Sequence, residues 1–201
     1  MQGILFSQME PPPELEAEFN DWYETEHIPV RLALPGFTAA VRYREHGPER
    51  KYLAVYEIGD MKVLESPGYQ ALKTEPSRRT ALMLARVKGF TRFTCTLTSD
   101  TGASAAARYL FAAGYEVRGE RSAEFSRWWM VEGSPGLMKM PGSIRARHYT
   151  VVSADGGPWS SIVMHESSSI GDAAGAPGGK TYSRSTGRWL YEMVSVHSHT
   201  R

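Results

Sequence analysis

A stretch of 26 residues recurs in this chain without a gap. EFNDWYETEHIPVRLALPGFTAAVRY, residues 18–43, aligns with EFSRWWMVEGSPGLMKMPGSIRARHY, residues 124–149, at a constant offset of 106. Nine positions are identical: Glu18/Glu124, Phe19/Phe125, Trp22/Trp128, Glu26/Glu132, Pro29/Pro135, Pro35/Pro141, Gly36/Gly142, Ala40/Ala146 and Tyr43/Tyr149. Weaker echoes flank the core, Leu5-Phe6 with Leu110-Phe111 and residues 53–57 (LAVYE) with 162–166 (IVMHE). A chain that repeats at about half its length is expected to be two copies of one unit, joined here near residues 100–106. The copies differ at one position that bears on chemistry: His27 in the first is Gly133 in the second.

The 201 residues allow each copy to bury a core of its own. A formal net charge of +1, with Arg and Lys interspersed among Asp and Glu, offers no field for nucleic acid. The single Cys95 excludes an internal disulfide framework and a multi-cysteine metal site. No segment approaches the roughly 18 apolar residues of a membrane span. The start, MQGILFSQMEPPP, lacks the basic region and apolar core of a signal peptide. The expectation is a cytoplasmic protein that engages neither nucleic acid nor membrane.

Residues 3–9 form a short apolar run, stopped by three prolines at 11–13, and read as a strand. Leu15, Phe19, Trp22, Tyr23 and Ile28 recur at helical spacing, with Glu14, Glu16 and Glu18 in the first turn where the helix dipole favours them. Pro29 disfavours helical geometry at Ile28, so this helix is predicted to end near His27, ahead of a turn into Leu34-Pro35-Gly36. Residues 37–45 and 51–58 read as a hairpin around His46-Gly47-Pro48. A helix over 61–73 broken at Pro67, a further helical stretch at 81–87 and a strand over 89–98 complete the order βαββαβ. That is the order of a ferredoxin-like α+β sandwich. The second copy repeats it with a strand over 108–117, a helix over 123–140 and strands over 143–153 and 159–167. Residues 168–186, rich in Gly, Ala and Ser, are expected to be mostly loop where the second helix would fall, before a last strand over 188–197. The expected domains are residues 1–104, carrying the site, and 105–201, a degenerate repeat.

The segment 18–29 (EFNDWYETEHIP), followed by Leu34-Pro35-Gly36-Phe37, a strand ending near Tyr43 and residues 52–57 (YLAVYE), resembles the EthD-type branch of the dimeric α/β-barrel superfamily. The resemblance covers the first half. It implies two ferredoxin-like units packed sheet to sheet, here as a barrel within one chain. The second half departs by lacking the histidine and the second helix, which puts a second active site in doubt. Such relatives include cofactor-independent cyclases, isomerases and lyases, oxygenases of aromatic polyketides, heme-binding enzymes and stress proteins, so the fold does not choose the chemistry.

His27 is the principal candidate. An imidazole can take or give a proton near neutral pH, and carbonyl dipoles at a helix carboxyl end favour its protonated form. The plainer reading is a histidine that bonds a last-turn carbonyl. Tyr23, one turn earlier, is a second catalytic candidate that orients the imidazole or a substrate oxygen, against a reading as core packing. Phe6, Trp22, Arg31, Tyr43 and Tyr56 are candidate substrate-binding residues around a pocket between the first helix and the sheet. Trp22 and Trp128 also read as core. Glu26 and Glu132, present in both copies, point to a structural task at the Pro29 and Pro135 turns. His148 and His165, the counterparts of Arg42 and Tyr56, either line a degenerate pocket or face solvent.

The six histidines show no HxxxH or HExxH spacing, and Gly171 and Gly175–Gly179 follow no strand in a phosphate-binding pattern, so no metal, nucleotide or other cofactor is expected. The leading functional expectation is a cofactor-independent lyase, isomerase or cyclase acting on a small, apolar, oxygenated molecule, aromatic or polyketide-like in kind. The alternatives are a non-catalytic small-ligand-binding or stress-response protein, and a cofactorless oxygenase or heme-binding protein. Pairing of the folded chain into a homodimer stays open.

Overall fold

In the computed structural model, residues 1–46, 51–105, 107–173 and 182–198 are described. Gly47 and Pro48 of the expected hairpin turn, the glycines at 175–179 and His199 lie outside them.

Strand β1 (Gly3–Glu10) leads into α1 (Glu16–Trp22), a π turn (Tyr23–His27) and α2 (Ile28–Leu32). Strands β2 (Phe37–Glu45) and β3 (Tyr52–Ile58) follow, then α3 (Pro67–Thr74), α4 (Arg78–Leu84) and β4 (Lys88–Gly102). The second half runs β5 (Tyr109–Val117), α5 (Ser122–Trp128), a second π turn (Trp129–Gly133), α6 (Ser134–Met138), β6 (Ser143–Asp155) and β7 (Ser161–Ser167). It ends with α7 (Ile170–Ala173) and β8 (Ser183–Ser198).

The eight strands close into an antiparallel barrel in the order β1-β3-β2-β8-β5-β7-β6-β4. One arc, β4-β1-β3-β2, comes from the first half and the other, β8-β5-β7-β6, from the second, with seams where β2 meets β8 and β4 meets β6. Alternation along the strands sends Ile4, Phe6, Tyr43, Leu53, Val55, Phe93, Cys95, Leu110, Tyr149, Ile162 and Met164 into the lumen, which is a packed core. The outer face carries Leu5, Met9, Tyr52, Ala54 and Tyr56 under Phe19, Trp22, Tyr23 and Ile28 of the first helical layer. Phe111, Ala113, Tyr115 and Val163 lie likewise under Phe125, Trp129 and Leu137 in the second half. The echo of Leu5-Phe6 in Leu110-Phe111 is off by one residue. Leu5 faces outward and Leu110 inward, so the true partner of Leu5 is Phe111, at the same offset of 106 as the core repeat. A one-residue slip exchanges the two faces of a strand.

The expectation that the first helix ends near His27 is overturned. The helical path runs on through Pro29 to Leu32 because a π turn opens ahead of the proline. Proline has no N–H to give, and in a regular helix its ring meets the carbonyl four residues back. Here the Ile28 N–H bonds the Tyr23 carbonyl, five residues back, and Pro29 falls in the first turn of α2, where a missing donor costs little. The second half repeats the device: the Ser134 N–H bonds the Trp129 carbonyl, just ahead of Pro135. The shared Gly36 and Gly142 turn the chain into β2 and β6 at φ of 114° and 80°, a region that favours glycine.

The broken helix expected over 61–73 is a 3-10 turn (Met61–Glu65) followed by α3, with Ser66 capping the new start through its hydroxyl. Within the stretch read as loop, residues 170–173 form the short α7. No helix among the described residues is long and apolar enough to cross a membrane.

Candidate functional site

His27 sits at the last position of the first π turn, with a side chain 6% exposed. Its imidazole packs on Trp22, with ring centroids 4.1 Å apart, and edge-on against Tyr23 at 4.9 Å. Among the described residues no group hydrogen-bonds either ring nitrogen, and its backbone carbonyl accepts from Arg31 Nη1, 2.8 Å away. Burial lowers the imidazole pKa well below 6.5, and the Arg31 and Arg42 guanidiniums lower it further. His27 is therefore a neutral base at pH 7. The expectation that a helix carboxyl end holds it protonated fails because the helix does not end there.

The ring borders a hollow of about 50 Å³ between the first helical layer and the outer face of the sheet. Tyr23, Arg31, Tyr56 and Tyr69 line it, together with Leu5, Ser7, Met9, Leu84, Phe90 and Arg92. The Tyr56 hydroxyl is buried with no hydrogen-bond partner, and burial pushes its pKa up to about 12, against the pull of Arg31 and Arg42. It stays a proton donor at neutral pH with nothing among the described residues to donate to. The Arg31 guanidinium lies 5.3 Å from the centre of the Tyr56 ring. The hollow thus brings together a neutral acceptor, an unused hydroxyl donor and two guanidinium cations, and no carboxylate lines it among the described residues.

Of the candidates, Tyr23, His27, Arg31 and Tyr56 meet at this hollow. The Tyr23 hydroxyl points to Met9 Sδ at 3.6 Å and so does not orient the imidazole. Trp22 backs the imidazole from the core and donates Nε1–H to Thr80 Oγ1 at 3.0 Å. Phe6 and Tyr43 turn away into the lumen and do not line the hollow. Both are inward-facing strand residues, a distinction that sequence alone left unresolved. Ser7, Met9, Tyr69 and Phe90 were missed; alternation along β1 with the known outward Leu5 would have found the first two.

Glu26 is structural, but not at the Pro29 turn. Its carboxylate accepts from Ser77 Oγ, the cap of α4, and from Thr80 Oγ1 at 2.9 Å, clamping the first helical layer to α4. Arg42, fully buried, donates to Glu24 and Asn20, each at 2.6 Å, and lies 4.4 Å from the Tyr23 ring centre. Its counterpart His148 is buried against Ser161 Oγ at 2.6 Å, and His165 is buried against Ser143 Oγ at 2.8 Å, so neither faces solvent. At the place of His27, a side chain on Gly133 would meet Trp129 Cε3 at 2.9 Å: the tryptophan fills the space. No group of three or more His, Cys, Asp or Glu among the described residues is placed to hold a metal ion.

No family model matches the chain. Over 66 residues it is 36% identical to core atranone cluster (CAC) protein 1 of Stachybotrys chlorohalonatus (strain IBT 40285), a match covering 31% of this chain and 28% of that protein. The chain thus spans less than a third of the curated relative it matches. A solved anthrone oxidase-like protein superposes over 100% of this chain and 94% of its own, with a TM-score of 0.76 at 12% identity. The likeness is one of fold. A provisionally assigned monooxygenase of Lactobacillus acidophilus NCFM shares this barrel with a TM-score of 0.66 at 8% identity, over 98% of this chain and 96% of that one.

Proposed function

We propose that this chain is an enzyme that moves a proton on a small oxygenated molecule without a cofactor, with His27 as the general base. The observation that carries the reading is a neutral imidazole facing the same hollow as the Tyr56 hydroxyl, both without a hydrogen-bond partner among the described residues. A substrate C–H or O–H gives its proton to the imidazole. The charge that develops on the adjacent oxygen is met by the Tyr56 O–H and by the cationic Arg31. Returning the proton elsewhere is isomerisation, and expelling a leaving group is lyase chemistry.

A second reading is favoured by the likeness over the whole chain to the anthrone oxidase-like protein. The same carbanion can be oxidised by O2, converting a CH2 to C=O, with one oxygen atom entering the carbonyl and the other leaving as water.

The architecture that goes with either reading is two ferredoxin-like units, residues 1–104 and 105–201, in an EthD-like tandem whose second unit has lost its site. The strand arcs β4-β1-β3-β2 and β8-β5-β7-β6 support it.

Anthrone, whose methylene lies between two aromatic rings, is a suitable probe. In D2O without oxygen, the protein is expected to speed deuterium entry at that methylene, read by mass spectrometry, and His27→Ala to slow it by at least ~100-fold. Admitting O2 yields anthraquinone with oxygen uptake only under the second reading. Exchange at the buffer rate, or undiminished in His27→Ala, contradicts the proposal; binding without exchange leaves a ligand-binding protein.

A further inference from the structure

The hollow beside His27 is too small to be a whole site. At about 50 Å³ it has the space of a water molecule or two, at roughly 30 Å³ each. Sites for small organic molecules run to roughly 300–1,000 Å³. What the hollow can take is one oxygen-bearing group, so the body of any ligand must lie elsewhere.

A second hollow of about 320 Å³, open to solvent, is lined by α3 with its preceding turn and by β4 and β6. Two side chains, Tyr69 and Arg92, line both spaces. Tyr69 is buried, with its ring 5.8 Å from that of Phe37, and its backbone N–H is fixed by the Ser66 cap. Arg92, on β4, is a third exposed and only loosely paired with Asp155 at 3.8 Å. Beyond this pair the chamber is walled by Met61, Leu64 and Val152 and by the hydroxyls of Thr94, Thr96 and Ser153. Lys73 and Glu65 stand exposed at its rim, so the rim itself has no net sign.

We infer that Tyr69 and Arg92 form the neck of a single two-chamber site, and that they select an elongate ligand by its length. The leading end carries an oxygen that passes the neck to His27 and Tyr56, and the apolar body stays outside in the larger chamber. The guanidiniums of Arg31 in the inner hollow and of Arg92 at the neck favour a leading group that is, or becomes, an oxyanion. A ligand without a body binds only through that group and gains nothing from the outer walls.

This inference deepens the proposed function but is tested by binding alone. The probes are phenol, 1-naphthol and anthrone, measured by calorimetry on the full chain. Affinity is expected to rise at least 10-fold from phenol to anthrone. Tyr69→Trp, which plugs the neck, is expected to cost anthrone at least 10-fold. Thr94→Trp, which narrows the outer chamber without touching Tyr69, keeps the test independent of how well the first variant folds, and it too should cost anthrone at least 10-fold. Equal affinities across the three probes, or anthrone binding untouched by both variants, overturn the inference. His27→Ala should leave the ladder of affinities in place while abolishing deuterium exchange. A flat ladder with intact exchange therefore condemns the neck, and an intact ladder without exchange condemns the catalytic reading.

Discussion

His27 and Gly133 occupy the last position of equivalent π turns, yet one side chain borders a hollow and the other position is closed by Trp129. The second half therefore cannot regain a site by restoring the histidine. A Cβ at residue 133 lies 2.9 Å from the Trp129 ring, so something must shift. Gly133→His is expected to cost about 1–3 kcal/mol in urea denaturation, as overpacked substitutions do, and to add no turnover. A variant as stable as the parent contradicts this view of the second half.

The Tyr56 hydroxyl is buried without a hydrogen bond among the described residues, which costs stability, and under the proposed function it donates to the oxyanion. Tyr56→Phe is expected to leave the protein as stable as before, or up to about 1 kcal/mol more so, since it removes an unsatisfied buried group and keeps the ring. Exchange or turnover should fall by about 10- to 100-fold as the oxyanion loses a donor. Reduced stability with full activity would reverse the assignment.

Glu26 and Glu132 are identical in the repeat and unequal in the structure. Glu26 holds Ser77 and Thr80, whereas Glu132 is exposed on α5's continuation. Glu26→Ala is expected to lower stability by about 1–3 kcal/mol, and Glu132→Ala to change it by less than about 0.5 kcal/mol. Equal effects in thermal and urea unfolding would show that the α4 clamp contributes little.

Acid should weaken the fold through its buried histidines. Burial lowers His148 to about 4, and it lowers His27 as well, both from an unfolded value near 6.5. Between those values the unfolded chain binds more protons than the folded one, so this stability is complete above pH 6.5 and is lost as the pH falls. For His148 the window runs from about 6.5 to about 4. His148→Gln should flatten the stability profile there by up to one proton, about 1.4 kcal/mol per pH unit. A profile unchanged by that substitution contradicts a buried neutral His148.

Much of this was legible before any coordinates. Strand alternation with turn residues placed the eight strands of the barrel to within a few positions. The helical spacing of Phe19, Trp22, Tyr23 and Ile28 indicated one packed face. Three things were hidden. The π turn was invisible because Pro29 signals a break, and only the folded chain reveals that one wide turn absorbs it. The inward facing of Phe6 and Tyr43 depends on which sheet face the helices cover, a tertiary fact. The protonation of His27 followed from a helix end that does not exist; burial and two arginines decide it instead.

The most direct measurement is the pH titration of the His27 imidazole by NMR, with its signal assigned by its loss in His27→Gln. The account predicts a ring still neutral at pH 6.5, the midpoint of an ordinary histidine, with protonation only well below it. A midpoint at or above 6.5 would contradict a buried, unpartnered base, and with it the proposed chemistry.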